Sequence, residues 1–410
     1  MSDPAVIIVG AGPVGLTAAL SLSRRGIRPV VLEAEAELSA ESRASTFHPP
    51  TLEMLNQLGL AERMLTLGHI APRFQYRDRK EGVIAELDLS VLSDDTRFPF
   101  RLQLEQRIVA RLLLERLREV DGADLRFGRR VVSARSEGGR ACVSVAGPDG
   151  TEELSAPWVL AADGAHSAVR RSLGIAFEGK TYPERYLVLT LSDDVTELLP
   201  GLASINYVFD PEAWFVVLRT QDRWRVLFPV EPGEPAETAS SPDRVRQRLH
   251  EVSDRAAELR IEHVTLYNVH QRVAERLRVG RVVLAGDAAH LNNPLGGMGM
   301  NSGIHDAWLL AEPLAALCRG EGDEAALDDC LERRRQICRR HVLEHSDRNA
   351  RMIAERDPAA RRALHDRLRA LAADRQAMRD HLLETSLLAA VRPELEAAGC
   401  LPRAAPAGQP

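Results

Sequence analysis

The residues with the most specific chemistry are three glycines and an acid near the start of the chain. Gly10, Gly12 and Gly15 stand in GAGPVG, and Glu33 follows 18 residues beyond the last of them. Gly10 permits a tight turn, Gly12 lets the backbone approach a pyrophosphate, and Gly15 lets a helix pack close to a sheet. An acid at that distance accepts hydrogen bonds from both hydroxyls of an unphosphorylated ribose. These are the needs of a dinucleotide, and the spacing alone does not separate FAD from NAD.

Further polar groups recur at comparable junctions. Asp163-Gly164 and Gly286-Asp287 each follow an apolar run, and the second opens a loop carrying Pro294, Gly296, Gly297, Gly299 and Asn301. Arg43 comes just after the acid-bearing segment, where it can reach a phosphate or a flavin rim; a surface arginine is the plain alternative. His48, His270 and His290 lie beside these loops. Each can transfer a proton, and each is as readily a structural hydrogen-bonder.

The elements that must position these groups follow from hydrophobic pattern. Val6 to Val9 and Pro29 to Leu32 read as buried strands around a helix from Leu16 to Arg25, a strand–turn–helix–strand–acid unit. Thr51 is placed to cap a helix closed by Gly68. Residues 73–101 read as short antiparallel strands, and 105–120 as a helix with Gln106 in its first turn. Residues 124–160 read as a strand meander ending at Asp163, followed by a helix from Ala168 to Leu173. Residues 175–265 are strand-like, interrupted by a helix over 242–257. That block holds Tyr182, Tyr186, Tyr207, Phe209, Trp214, Phe215, Trp224 and Phe228, with Tyr267 just beyond it, in a chain only 4% aromatic. An antiparallel sheet with aromatics on one face suits a flat apolar ligand, and core packing is the alternative for any one ring. Arg281 to Ala285 is another buried strand, Ser302 to Cys318 a long helix, and 323–391 is helical.

The 410 residues allow two or three domains, and a net charge of −6 argues against nucleic acid. No stretch approaches a membrane span, and the N-terminus has no basic region of a signal peptide, so the expected location is cytoplasmic. Cys142, Cys318, Cys330, Cys338 and Cys400 are scattered, without metal or disulfide spacing. The only lysines are Lys80 and Lys180, which nearly excludes lysine chemistry.

GAGPVG with Glu33, the Arg43 segment, Asp163-Gly164 and the GDAAH…GMN loop, in this order, resemble the class A FAD-dependent aromatic hydroxylases, the para-hydroxybenzoate hydroxylase family. The resemblance runs from about residue 5 to about residue 320. It implies an α/β fold: a Rossmann-like FAD-binding domain, an antiparallel β-sheet substrate domain and a helical C-terminal region. The FAD-binding parts fall at 1–72, 102–174 and 268–322, substrate-domain segments at 73–101 and 175–267, and C-terminal helices and tail at 323–410. Carried over, Gly10, Gly12 and Gly15 hold the FAD pyrophosphate and Glu33 the adenosine ribose. Arg43 and Gln106 contact the pyrophosphate and ribityl region, with Gln103 as the other register. Asp163 approaches pyrophosphate and nicotinamide, and Asp287 the ribityl chain. Gly299 contacts the cofactor, and the amides of Met300 and Asn301, at the N-terminus of the Ser302 helix, face the flavin pyrimidine carbonyl. Pro294 positions the substrate through its carbonyl. Met298 stands where many relatives carry glutamine, a change expected to alter the flavin face. Tyr207, Phe209, Trp214 and Phe228 are the expected pocket walls, and His48 a proton-transfer candidate.

The resemblance implies non-covalent FAD, NADPH or NADH as transient donor, O₂ as co-substrate, and oxygen transfer through a flavin C4a-hydroperoxide to a small aromatic or heteroaromatic ring, phenol-like, quinolone or polyketide. A monomer or homodimer without a metal is expected. A second dinucleotide fingerprint and CxxC are absent, which argues against a disulfide reductase. A halogenase needs a lysine to carry the halogen and a WxWxIP motif; here neither lysine lies near a motif, and WRVLFPV is not that pattern. A quinone or isoprenoid reductase, or a redox-sensing flavoprotein, are the other readings.

Overall fold

The computed structural model describes residues 4–40, 44–120, 123–148 and 150–401. Its centre is the run Val6–Val9, in which all four residues are buried. Such a strand must be covered on both faces, and it pairs in parallel with Pro29–Leu32 on one side and Trp158–Ala161 on the other. Asp124–Arg126 and Val282–Leu284 extend the sheet in parallel, and Arg278–Val279 closes it antiparallel, giving six strands. The helices Pro13–Ser23, Gln106–Glu119 and Gly299–Arg319 pack on this core. A separate antiparallel sheet of three strands, Arg130–Glu137, Arg140–Gly147 and Gly150–Ala156, lies between two strands of the parallel sheet in sequence. The meander expected over 124–160 is thus divided between two sheets.

The helix expected from Thr51 starts instead at Pro49, with His48 as N-cap and two prolines in its first turn. It ends at Gln57, Gly59 adopts φ +80°, and a second helix runs Ala61–Leu67 with Gly68 as C-cap.

A second sheet of eight strands contains Arg73–Asp78, Gly82–Asp88, Phe177–Leu191, Ile205–Phe209, Phe215–Arg219, Trp224–Val230 and Ile261–Ala274, with His290–Leu291 at its edge. It is antiparallel except where Asn206–Phe209 pairs in parallel with Gln75–Asp78. Alternation divides its residues between two faces. Tyr186, Tyr207, Phe209, Trp214 and Val216 share one face with Phe74 and Tyr76. Leu187, Leu189, Phe215, Val217, Val226 and Phe228 pack on the other, against the helix Pro242–Val252.

Arg101–Gln103 does not join this sheet. It pairs antiparallel with Thr46–Phe47 and His69–Ala71 in a small sheet between the two large ones. The C-terminal helices then cover the aromatic face. Ile353, Leu364, Leu368, Met378 and Leu382 pack there, from Glu344–Ile353, Pro358–Ala373 and Arg375–Thr385. Buried Asp95 holds Arg379 at 2.7 Å and Arg392 at 2.6 Å, pinning this cover to the body. No helix among the described residues is long and apolar enough to cross a membrane.

Candidate active site

The glycine turn is built as its spacing requires. Gly10 has φ +99°, and a Cβ there would lie 2.5 Å from the Ala162 carbonyl oxygen. A Cβ on Gly15 would lie 1.9 Å from the Gly10 oxygen, so helix and strand touch through this residue. Around Gly12 nothing lies within 4 Å of an added Cβ: the turn faces open space. The first intrahelical bond is Leu16 N–H to Gly12 O, 2.9 Å, leaving the Val14 and Gly15 amides without intrahelical acceptors at the positive end of the helix. Glu33 folds back on the turn, its Oε2 accepting from Ala11 N at 2.7 Å and its Oε1 from Glu35 N at 3.0 Å. A pyrophosphate with an adjacent ribose fits this cradle. Arg43 lies outside the described residues.

Asp163 caps the following helix through Oδ2, 3.2 Å from Val169 N, while its buried Oδ1 has no partner. Gln106 is the first residue of its helix. Gln103 is fully buried; its Oε1 accepts from Thr46 Oγ1 at 3.0 Å, and its Nε2 is an unpaired buried donor. These two polar atoms, without partners among the described residues, are available to a polar ligand. Asp287 is exposed on the turn Gly286–Ala288.

That turn is held from beneath. Asp306, 2% exposed, accepts from Gly286 N at 3.0 Å and His290 Nε2 at 2.7 Å through Oδ2, and from Arg334 Nε at 2.7 Å through Oδ1. Burial by itself would raise the Asp306 carboxyl; the charges of His290 and Arg334 overrule it and hold the pKa far below the carboxylate range. Burial likewise opposes the His290 imidazolium, and the Cys338 sulfur and Asp306 carboxylate overrule it, so its pKa lies well above 6.5. His290 is therefore a structural cation. His270 bonds Thr181 Oγ1 at 2.9 Å on the long strand pair.

The loop before the helix Gly299–Arg319 joins the two large sheets. Asn301 is fully buried and ties the loop to the 46–48 segment: its Oδ1 accepts from His48 N at 3.0 Å, and its Nδ2 donates to Thr46 O at 2.8 Å and Gly297 O at 2.6 Å. Its side chain is thus committed, leaving the amides of Met300 and Asn301 at the helix start for a ligand. The Pro294 carbonyl accepts from Gly297 N at 2.9 Å and keeps its second lone pair. Asn293 Nδ2 donates to the Tyr186 hydroxyl at 3.0 Å, fastening the loop to the aromatic face. There Tyr76 packs on Tyr207 at 5.5 Å and on Phe209 at 5.9 Å, and Tyr186 meets Trp214 edge-on at 5.6 Å.

His48 stands between loop and wall, 1% exposed, with Nε2 2.8 Å from Gly296 O. A carbonyl only accepts, so Nε2 carries the proton and Nδ1 is a bare, buried acceptor without a partner among the described residues. Burial, then the Arg101 charge, lower its pKa to about 3. The ring is a hydrogen-bond acceptor at neutral pH and a weak base.

Two expectations change. Phe228 lies on the far face with Phe215, rings 6.0 Å apart, because its strand places even-numbered residues toward the Pro242–Val252 helix. Met298 does not reach the loop's ligand side: it is buried with Val273, Cys338, Val342 and Leu343. Sequence reading missed Arg101, Tyr76 and Asn293. Arg101 and Tyr76 sit in segments whose alternation was visible but whose sheet partners were not. Asn293 carried no motif of its own.

The family described as FAD binding domain matches residues 3–345. The chain is 36% identical over 392 residues to para-nitrophenol 4-monooxygenase of Pseudomonas sp. strain WBC-3, covering 93% of this chain and 95% of that one. It is 34% identical over 326 residues to 6-hydroxy-3-succinoylpyridine 3-monooxygenase of Pseudomonas putida, covering 79% and 82%. Among solved structures, p-nitrophenol 4-monooxygenase from Pseudomonas putida DLL-E4 superposes with a TM-score of 0.87 at 34% identity, covering 94% of this chain and 98% of that one.

Proposed function

The chain belongs to the FAD-binding family of class A aromatic hydroxylases, and from that premise we propose that the ring it oxygenates is a monocyclic phenol or hydroxypyridine. It is an FAD-dependent monooxygenase that uses O₂ and NAD(P)H and acts on aromatic substrates. The chemistry supplied by bound FAD is hydride acceptance from NAD(P)H and transfer of one atom of O₂ to an electron-rich ring. The ring class rests on two relatives matched over most of their length and named for a nitrophenol and a hydroxypyridine.

The positions of the chain's own residues support the following roles. The Gly10–Gly15 turn and the amides behind it bind the pyrophosphate, supported by the open space before Gly12. Glu33 takes the ribose. Asp163 Oδ1, Gln103 Nε2, Gln106 and Asp287 take the ribityl and phosphate region; for Arg43, outside the described residues, a phosphate role rests on the family resemblance alone. The Gly299, Met300 and Asn301 amides offer the positive end of a helix to the charge that reduced flavin carries near N1. Tyr207, Trp214, Tyr76 and Phe209 wall the ring, the Pro294 carbonyl orients it, and His48 Nδ1 accepts a hydrogen bond from it. The C-terminal helices exclude water from this space.

The observation that supports the placement is the Asn293–Tyr186 bond, which ties the loop carrying Pro294 to the aromatic face. Work in the cytoplasm follows from dependence on NAD(P)H, a reductant of the cell interior. The test is NAD(P)H oxidation and O₂ uptake across phenols and hydroxypyridines. A ring that accelerates flavin reduction and returns heavier by one oxygen is the expected result; oxidation that is indifferent to every ring, without oxygenated product, overturns the substrate class.

A further inference from the structure

Among the described residues Arg101 is a buried cation without a counterion. It is 5% exposed, its Nε is buried and unbonded, and among the described residues no carboxylate pairs with it. Its guanidinium lies over the Phe74 ring, 4.1 Å from the centroid. The other deeply buried arginines are served differently: Arg170, also 5% exposed and lying over Phe177, donates to the Ala288 and Ala165 carbonyls at 2.9 Å. Arg334 holds Asp306 at 2.7 Å, Arg225 lies 3.6 Å from Glu105, Arg248 holds Glu234 at 2.9 Å, and Arg77 donates to the Pro200 and Gly201 carbonyls.

The groups around Arg101 do not offset its charge. It acts on His48, His345, His381 and Tyr76, with Arg348 acting on Tyr76 and both outer histidines as well. Glu384, which also faces His381, is half-exposed and pairs with Arg348 at 3.6 Å. A guanidinium buried to this extent without a charge partner is costly, and an entering anion offsets part of that cost. The pyrophosphate cradle is built on the other large sheet, while Arg101 packs on Phe74 of the aromatic face. On its own strand it stands two residues from Gln103, which reaches the 46–48 segment.

We propose that Arg101 selects the substrate's charge: it binds an anionic oxygen of the aromatic ring substrate, a phenolate or a ring-borne carboxylate, across the aromatic wall from His48. The inference rests on the hydroxylase reading and names the charge class of its substrate. A guanidinium's planar fork suits a carboxylate in two-point contact and a phenolate in one.

The test uses the oxidised, FAD-loaded full chain and follows the flavin absorbance on titration with two matched pairs, 4-nitrophenolate against 4-nitroanisole and benzoate against methyl benzoate. Wild type should favour at least one anion over its neutral partner by about tenfold or more. Arg101→Met should remove that preference while leaving the neutral probes within about twofold; Arg101→Lys should keep part of it. Equal affinity for charged and neutral probes in wild type overturns the proposal without any variant. So does an Arg101→Met enzyme that keeps the preference. The reduced flavin is the other anion available: if Arg101→Met leaves ring binding unchanged and shifts only the flavin potential, the counterion is the cofactor and the proposal fails. Charge preference in wild type that depends on Arg101, with no oxygenated product from any ring, supports the subsite and overturns the hydroxylase substrate class instead.

Discussion

Replacing Asp306 by asparagine should release the turn that carries Asp287. The carboxylate is 2% exposed and makes three contacts of 3.0 Å or less: His290, Arg334 and the Gly286 amide. Asparagine keeps the shape, loses the charge, and turns one oxygen into a donor that faces donors. Arg334, also 2% exposed with Nη1 already unbonded, is then a buried cation whose remaining acceptors are the Ser302 oxygens. Removing one partner of a buried pair costs about 3–5 kcal/mol. His290 offsets part of this by giving up its proton, so a net loss of about 3 kcal/mol is expected. At about 2 °C per kcal/mol for a long chain, the holoenzyme should melt on the order of 6 °C lower. FAD should also wash out more readily, because Gly286 and Asp287 lose their anchor.

The pH dependence has a fixed sign. The raised His290 pKa gives stability that is complete below about pH 6.5 and is lost as pH rises through the folded value. The depressed Asp306 pKa gives stability that is complete above about pH 4 and is lost only as pH falls through the folded value. The difference between wild type and Asp306→Asn is therefore largest between about pH 4 and 6.5. Thermal melts of FAD-loaded protein across that range, with flavin retention on a desalting column, make the assay. Adding Arg334→Met to Asp306→Asn should recover part of the loss, since the stranded charge goes too. A variant that melts within about 1 °C of wild type and keeps its flavin would refute the reasoning.

Gly12→Ala should leave the fold intact, because its added Cβ meets nothing within 4 Å, and should weaken FAD binding by about tenfold or more; flavin content and circular dichroism separate the two effects. Gly15→Ala, with its Cβ 1.9 Å from a backbone oxygen, should destabilise the apoprotein itself in a denaturant melt. The His48 ring should stay neutral down to about pH 4, as its pKa of about 3 requires; imidazole NMR of the holoenzyme checks this, and a protonated ring at pH 6 contradicts it. In Arg101→Met the same signal should show a higher pKa, because a neighbouring cation is gone. Phe228→Leu should cost stability of about 1 kcal/mol with KM unchanged, whereas Trp214→Ala should raise KM; steady-state kinetics beside melting curves decide.

Local sequence determined the parts of this protein whose geometry is local. The strand–glycine turn–helix–strand unit fell where hydrophobic run, turn and acid placed it, because each constraint acts within about 30 residues. The long helix and its preceding loop were legible for the same reason, though the helix starts at Gly299 and not at the expected Ser302. Which face a ring occupies was not legible. Tyr207 and Phe228 sit in equally aromatic strands, and only the partner strands and the covering helix send one to the wall and the other away. The segment around Arg101 looked like its neighbours before pairing assigned it to a small third sheet. The triad of His290, Asp306 and Arg334 joins a loop to two helices, with 28 residues between the last two. Spacing encodes a contact only where the backbone between its ends is fixed locally. Counterions, faces and covers are set by packing between segments far apart in the chain, and those the tertiary structure alone decided.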